Sequence, residues 1–97
     1  MEEALKAIAN PRRRAMLSLV WDEERTATEI AQRSALSKPA ASQHLKVLRD
    51  AGLVHVRAQG NRRFYRSDPV RVAELRAALE DFWGGCLRRM RDEVKRG

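Results

Sequence analysis

Between Thr26 and Gly52 the chain is punctuated so closely that it has room for only two short helices and a tight turn between them. Thr26 followed by Glu29 has the spacing of a capping box, in which each side chain satisfies a backbone N–H that the start of a helix leaves unpaired. A helix over about 27–33 follows from it. Ser34-Ala35-Leu36 then reads as a turn, and Ser37 is a second good N-cap. Pro39 is tolerated because it lies in the first turn, where its missing N–H costs nothing. The second helix runs to about Ala51, and Gly52 is placed to end it in the left-handed conformation. Two short helices joined this way have the layout of a helix-turn-helix, whose second helix enters the major groove of DNA.

The periodicity of that second helix agrees. At 100° per residue, Ala41, Leu45 and Leu48 share one face, Pro39, Gln43 and Lys46 lie opposite, and Lys38 and Ser42 flank the outward side. A solvated surface helix is also polar outside, but this one carries small residues, a Gln and lysines with no acid before Asp50. The charge of the whole chain points to the same stretch. Residues 1–36 carry six basic and six acidic side chains and residues 68–97 carry seven and six, so most of the net +7 lies between them. There Lys38, Lys46, Arg49, Arg57, Arg62, Arg63 and Arg66 face only Asp50, a net +6. Such a segment suits a polyanion, since neutralised phosphates release counterions and drive binding.

Apolar and polar residues then alternate through Leu53-Val54-His55-Val56-Arg57 and Arg62-Arg63-Phe64-Tyr65-Arg66, on either side of Ala58-Gln59-Gly60-Asn61 with its Gly-Asn turn signal. This is a β-hairpin, a wing over about 53–67, whose tip and return strand are basic. Edge strands often carry charge against aggregation. Directly after a helix-turn-helix, however, such a hairpin can lay Arg side chains along the DNA backbone or into the minor groove.

Before this unit, Asn10-Pro11 separates a helix over about 2–9, with Leu5 and Ile8 on one face, from a second that reaches about Trp21 through Met16, Leu17, Leu19 and Val20. Asp22-Glu23-Glu24-Arg25 reads as a polar loop. After the wing, Asp68 is an N-cap and Pro69 a first helical residue. Val72, Leu75, Leu79, Phe82, Trp83, Cys86, Leu87, Met90 and Val94 recur at three- and four-residue steps along one helix over about 69–95. Such a helix spans about 40 Å, more than so small a domain can cover, so its stripe calls for a partner, most simply a second copy. Gly84-Gly85 is the place where it would kink or break.

The expected fold is therefore mainly α with a small β-hairpin, α-α-α-α-β-β-α, a winged helix-turn-helix that fills residues 1–97 as one domain and dimerises. A content of 43% hydrophobic and 34% charged residues suits a packed domain and not a disordered tail. No apolar run reaches the roughly 20 residues of a membrane helix, and Met1-Glu2-Glu3 is not the start of a signal peptide, so a cytoplasmic protein without membrane contact is expected. The single Cys86 cannot form an internal disulfide or a multi-thiolate metal site, and reads as an interface hydrophobe more than a redox sensor. His44 and His55 read as structural, partly buried rings with a satisfied hydrogen bond. No nucleophile–base pair, phosphate loop or carboxylate pair can be named, so neither enzyme chemistry nor a cofactor is expected. Double-stranded DNA is the expected partner. A winged helix serving protein or RNA contacts is the competing reading, and the lack of an exposed aromatic cluster counts against single-strand stacking.

Three stretches, Ala9-Asn10-Pro11-Arg12-Arg13-Arg14, the run from Leu36 to Val54, and Gly60-Asn61-Arg62-Arg63-Phe64-Tyr65, together resemble the arsenic-repressor (ArsR/SmtB) family of bacterial winged-helix repressors. The resemblance implies a homodimer held by its first and last helices, repressing from an imperfect palindrome and released by an inducer. It also implies base-reading roles for Lys38, Pro39, Ser42 and Gln43, with Arg62 and Arg63 in the wing. With the stripe, the implied dimer interface comprises Leu5, Ile8, Leu75, Leu79, Phe82, Trp83, Cys86 and Met90. The family's metal sensors carry cysteines at the start of the third helix or His with Asp or Glu on the last. Here those places read Arg25-Thr26-Ala27-Thr28-Glu29-Ile30-Ala31 and a His-free segment after residue 68, so no metal site is expected and the releasing signal is unidentified, with a small-molecule inducer as the candidate.

Overall fold

The computed structural model describes residues 1–96, leaving aside the side chains of Leu87 and of residues 92–96. The described elements are α1 (Glu2–Ala9), α2 (Pro11–Leu19), β1 (Arg25–Thr26), α3 (Ala27–Arg33), α4 (Lys38–Asp50), β2 (Val54–Gln59), β3 (Arg62–Ser67) and α5 (Pro69–Arg96). The winged helix-turn-helix expected from the sequence is present.

Local chemistry sets most of the boundaries. Asn10 caps α2 by accepting from the backbone N–H of Arg12 at 2.8 Å and of Arg13 at 3.3 Å. The next two arginines serve α1: Arg13 Nε donates to the Ala7 carbonyl at 2.6 Å, and Arg14 Nη1 donates to the Ile8 carbonyl at 2.8 Å. The Arg12–Arg14 run is thus largely a C-cap for the preceding helix, where cations also meet the negative end of the helix dipole. The capping box of α3 is complete, with Thr26 Oγ1 accepting from Glu29 N at 3.2 Å and Glu29 Oε1 accepting from Thr26 N at 3.4 Å. Ser37 Oγ caps α4 by accepting from Ala40 N at 3.3 Å. At its far end the N–H of Leu53 reaches the Leu48 carbonyl and that of Gly52 the Arg49 carbonyl, both at 2.9 Å, with Gly52 at φ +78°. This is a Schellman closure, and the fully buried Leu48 and Leu53 supply its hydrophobic contact.

The end of α3 uses the same closure with the wrong residue. Leu36 N bonds the Ala31 carbonyl at 3.0 Å and Ala35 N the Gln32 carbonyl at 3.3 Å, which places Ala35 at φ +53°. A Cβ in that region costs about 1–2 kcal/mol, against about 0.4–1 kcal/mol of extra chain entropy lost by a glycine. Ala35 is exposed, so nothing else holds it. Ala35→Gly is expected to raise stability by about 0.5–1 kcal/mol, a few degrees in Tm. Thermal unfolding checks this, and a lowered Tm would show that the left-handed residue is not strained.

Three differences from the sequence reading concern the sheet and the second helix. α2 closes at Leu19, with Val20 as C-cap, and does not reach Trp21. Arg25 does not belong to a loop: with Thr26 it forms β1, which pairs antiparallel with Tyr65 and Phe64, so the sheet has three strands in the order β1-β3-β2. The turn falls at Gly60-Asn61 as its signal requires, but β2 runs two residues past Arg57. Ala58 and Gln59 continue β2, Gln59 faces Arg62, and only Gly60 and Asn61 lie between them. Gly60 has φ +60° and Asn61 no positive φ, the pattern of a II′ turn.

The core lies between the helices and the sheet, with Met16, Val20, Ile30, Leu45, Leu48 and Leu53 fully buried. From α1 it takes Ala4 and Ala7, which leaves Leu5 exposed and Ile8 half-buried. From α5 it takes Val72 and Leu75 near the start of the helix. The helix then continues through Gly84-Gly85 without a break. Its 28 residues span about 42 Å, so the molecule measures 61 × 26 × 21 Å. Beyond its first turns Phe82, Trp83 and Met90 are more than half exposed.

Candidate nucleic-acid interface

The outward face of α4 is as the periodicity requires. Lys38, Pro39, Ser42, Gln43 and Lys46 are exposed, while Ala41, Leu45 and Leu48 are buried beneath them. The wing folds so that its return strand comes back beside this face. Lys38 and Ser42 of α4, Arg62 and Arg63 of the wing, and Asn61 at its tip line one open groove of about 550 Å³ with the first residues of α3. Ser42 and Arg63 also border a neighbouring depression with Lys46 and Arg49. Gln43 and Pro39 line neither, and stand on the exposed surface of α4.

The cations differ in availability. Among the described residues, the side chains of Lys38, Ser42, Gln43, Arg62 and Arg63 have no hydrogen-bond or ion-pair partner within the chain. Lys46 is weakly engaged, its Nζ 3.5 Å from Asp50 Oδ2 on an exposed turn of helix. Arg57, counted in the basic segment, is taken up: it grips Glu24 with Nε–Oε1 at 3.1 Å and Nη2–Oε2 at 2.7 Å, and its guanidinium lies 4.8 Å from the centre of the Phe64 ring. The Arg57 hydrogen bonds hold the Glu24 carboxyl below its ordinary range. This fork ties β2 to the loop before β1 and fixes the wing at the cost of one free charge.

The base of the wing is fastened too. Ser67 N donates to the Val20 carbonyl at 3.0 Å and Ser67 Oγ to the Trp21 carbonyl at 2.9 Å. Asp68 caps α5 through Oδ1, which accepts from Val70 N at 2.9 Å and Arg71 N at 3.1 Å, while Oδ2 lies 2.7 Å from His55 Nε2. His55 therefore has a partner, but it is exposed and not the partly buried ring expected. The Arg71 backbone N–H, chiefly, and the charge of His55 hold the Asp68 carboxyl below its ordinary range, against the opposing effect of burial. A depressed folded pKa means that the stabilisation is complete above the unfolded value, near 4, and is lost as pH falls through the folded value. Asp68→Asn keeps an N-cap and removes the titration. The variant is expected to lose less stability than the wild type between about pH 4 and pH 2, measured as urea midpoints. Parallel midpoints for the two proteins would refute the assignment.

Away from this face, α1, α2 and α5 border an apolar groove of about 380 Å³ in which Ile8, Leu17, Leu79, Trp21 and Trp83 meet. Trp21, 47% exposed, is missing from the interface expected from the sequence, because its position just past the end of α2 gives no periodic signal. Of the residues expected there, Leu5, Phe82, Trp83 and Met90 are exposed, Ile8, Leu79 and Cys86 half-buried. Leu75 does not fit its expected role: it is 5% exposed and already packed into the protomer's own core. Leu87 and Val94 lie outside the described side chains. Among the described residues, no group of three His, Cys, Asp or Glu side chains comes together, and no helix is long and apolar enough to cross a membrane.

Residues 10–56, from the start of α2 into β2, match the model of the bacterial regulatory proteins of the arsR family. The chain is 42% identical over 86 residues to the HTH-type transcriptional regulator Rv2034 of Mycobacterium tuberculosis, an alignment spanning 89% of this chain and 80% of that one. It belongs to the arsR family. The chain is also 40% identical over 76 residues to the transcriptional activator HlyU of Vibrio cholerae, covering 78% of this chain and 68% of the relative. Its fold matches the solution structure of the homodimeric winged helix-turn-helix DNA-binding domain Mb0332 from Mycobacterium bovis, with a TM-score of 0.72, 34% identity, and coverage of 86% and 77% of the two chains. The protein is thus a DNA-binding transcriptional regulator.

Proposed function

We propose that the protein acts in the cytoplasm as a homodimeric repressor, without enzymatic activity, that grips an imperfect palindrome in duplex DNA. In this reading one α4 enters the major groove of each half-site and each wing runs along the neighbouring backbone. The observation that carries it is the convergence of unpaired Lys38, Ser42, Arg62 and Arg63 on one groove, next to an α4 surface that is free of acids until its last turn. Lys38, Ser42, Gln43 and Pro39 are assigned to base edges, and Lys46, Arg62 and Arg63 to the backbone. The exposed parts of α1 and α5 supply the dimer interface, and a small molecule yet to be found relieves repression.

Gel shifts test the core of this reading. Random duplex DNA should be bound in a salt-sensitive way and single-stranded DNA or RNA much more weakly. Selection from genomic fragments should return inverted repeats whose half-site centres are about 10–10.5 bp apart or a multiple of that. Preference for single strands would overturn the reading. A reporter driven from a selected site should fall when the protein is expressed, and a rise would overturn repression.

A further inference from the structure

The interface groove has one wall of the opposite sign. α3 contributes Thr28 and Glu29, with Thr26 at its cap, and among the described residues Glu29 is the only acid on a lining otherwise marked by Lys38, Arg62 and Arg63. Its carboxylate is not free to read a base. Oε1 accepts from Thr26 N at 3.4 Å and from Thr26 Oγ1 at 3.1 Å, and Oε2 lies 3.9 Å from Arg25 Nη1. Nor does Arg25 neutralise it. The same guanidinium lies 3.2 Å from Glu23 Oε2, and its Nε donates to the Leu19 carbonyl at 2.7 Å. One cation shared by two carboxylates leaves the group at a formal charge of −1. Glu29 remains 47% exposed and lines the groove, so its charge acts there through solvent.

We propose that Glu29 is an electrostatic brake on DNA binding: fixed by its capping box, it opposes the phosphates that Lys38, Arg62 and Arg63 attract, whatever the base sequence. This rests on the reading of the groove as the DNA site. A capping box needs only a hydrogen-bonding side chain at this position, and Gln serves it as Glu does. The capping box thus does not itself require the negative charge, which acts on whatever enters the groove. Repulsion between exposed charges is modest, so the brake is worth about two- to fivefold in affinity per subunit.

The test compares Glu29→Gln with the wild type on a random-sequence duplex across a salt series, with thermal unfolding run alongside. The variant should bind about two- to fivefold tighter per subunit at low salt, lose affinity more steeply with added salt, and stay folded with a Tm lower by at most a few degrees. Thr28→Asp, on the same wall but outside the capping box, should weaken binding and keeps the proposal testable if Glu29→Gln folds poorly. Unchanged duplex affinity in a folded Glu29→Gln overturns the brake, as does unchanged affinity in Thr28→Asp if Glu29→Gln does not fold. Weaker binding by Glu29→Gln overturns it as well, because the carboxylate would then be a contact. A wild type that binds no duplex overturns the DNA reading itself, and the brake with it.

Discussion

Trp83→Glu is expected to leave a folded chain of monomer mass whose operator affinity is lower by a hundredfold or more. The side chain is 56% exposed, so the protomer loses little by the change. The same is not true of Leu79, which packs partly on the core, or of Leu75, which belongs to it. Charge at Trp83 would fall in the apolar groove where Ile8, Trp21 and Leu79 meet, the surface proposed to be covered by a second copy. Burying a carboxylate there without a partner costs several kcal/mol for each protomer. Operator binding falls with it because two half-sites held by one dimer are engaged at a high effective concentration, which a monomer forgoes. Light scattering and circular dichroism, followed by a gel shift on a selected operator, check the three parts. A variant that keeps dimer mass and wild-type affinity would refute this use of α5.

Features set by neighbours along the chain were legible in the sequence. The capping box at Thr26 and Glu29, the Ser37 cap, the Gly52 closure and the Asp68 cap each depend on residues within a few positions of the backbone they serve. The buried face of α4 followed from its period alone. Features set by distant partners were not. β1 is two residues long and exists because the free edge of β3 has backbone groups to pair, which Arg25 and Thr26 do not announce. Arg57 reads in the sequence as one more cation, and only the fold brings Glu24, 33 positions away, to hold it. The apolar stripe of α5 shows the same limit. Apolar residues at helical spacing say that a face will be covered, but not by what: Val72 and Leu75 face the protomer's own core, while Phe82 and Met90 face outward.

The division of labour between α4 and the wing has the largest expected consequence for sequence recognition. Gln43 is exposed on the outward face of α4, and its amide can pair with a base edge by donating and accepting at once. A good pairing of this kind discriminates by about 1–3 kcal/mol, and a dimer makes it twice, so Gln43→Ala should weaken operator binding by about thirtyfold or more. Binding to a scrambled duplex should barely change, since Gln43 carries no charge. Arg63 presents the opposite case. It is exposed on β3 without an ion-pair partner among the described residues, beside both Ser42 and Lys46 in the grooves flanking α4. A cation so placed suffers little desolvation and holds phosphate whatever the sequence, so Arg63→Ala should weaken operator and scrambled duplex alike. The plot of log affinity against log salt should flatten by about one unit for each phosphate that the variant no longer neutralises. Salt titrations of both variants on both duplexes decide the matter. If Gln43→Ala loses affinity equally on the two, α4 does not read bases at that position, and if Arg63→Ala leaves the salt slope unchanged, the wing does not hold the backbone there.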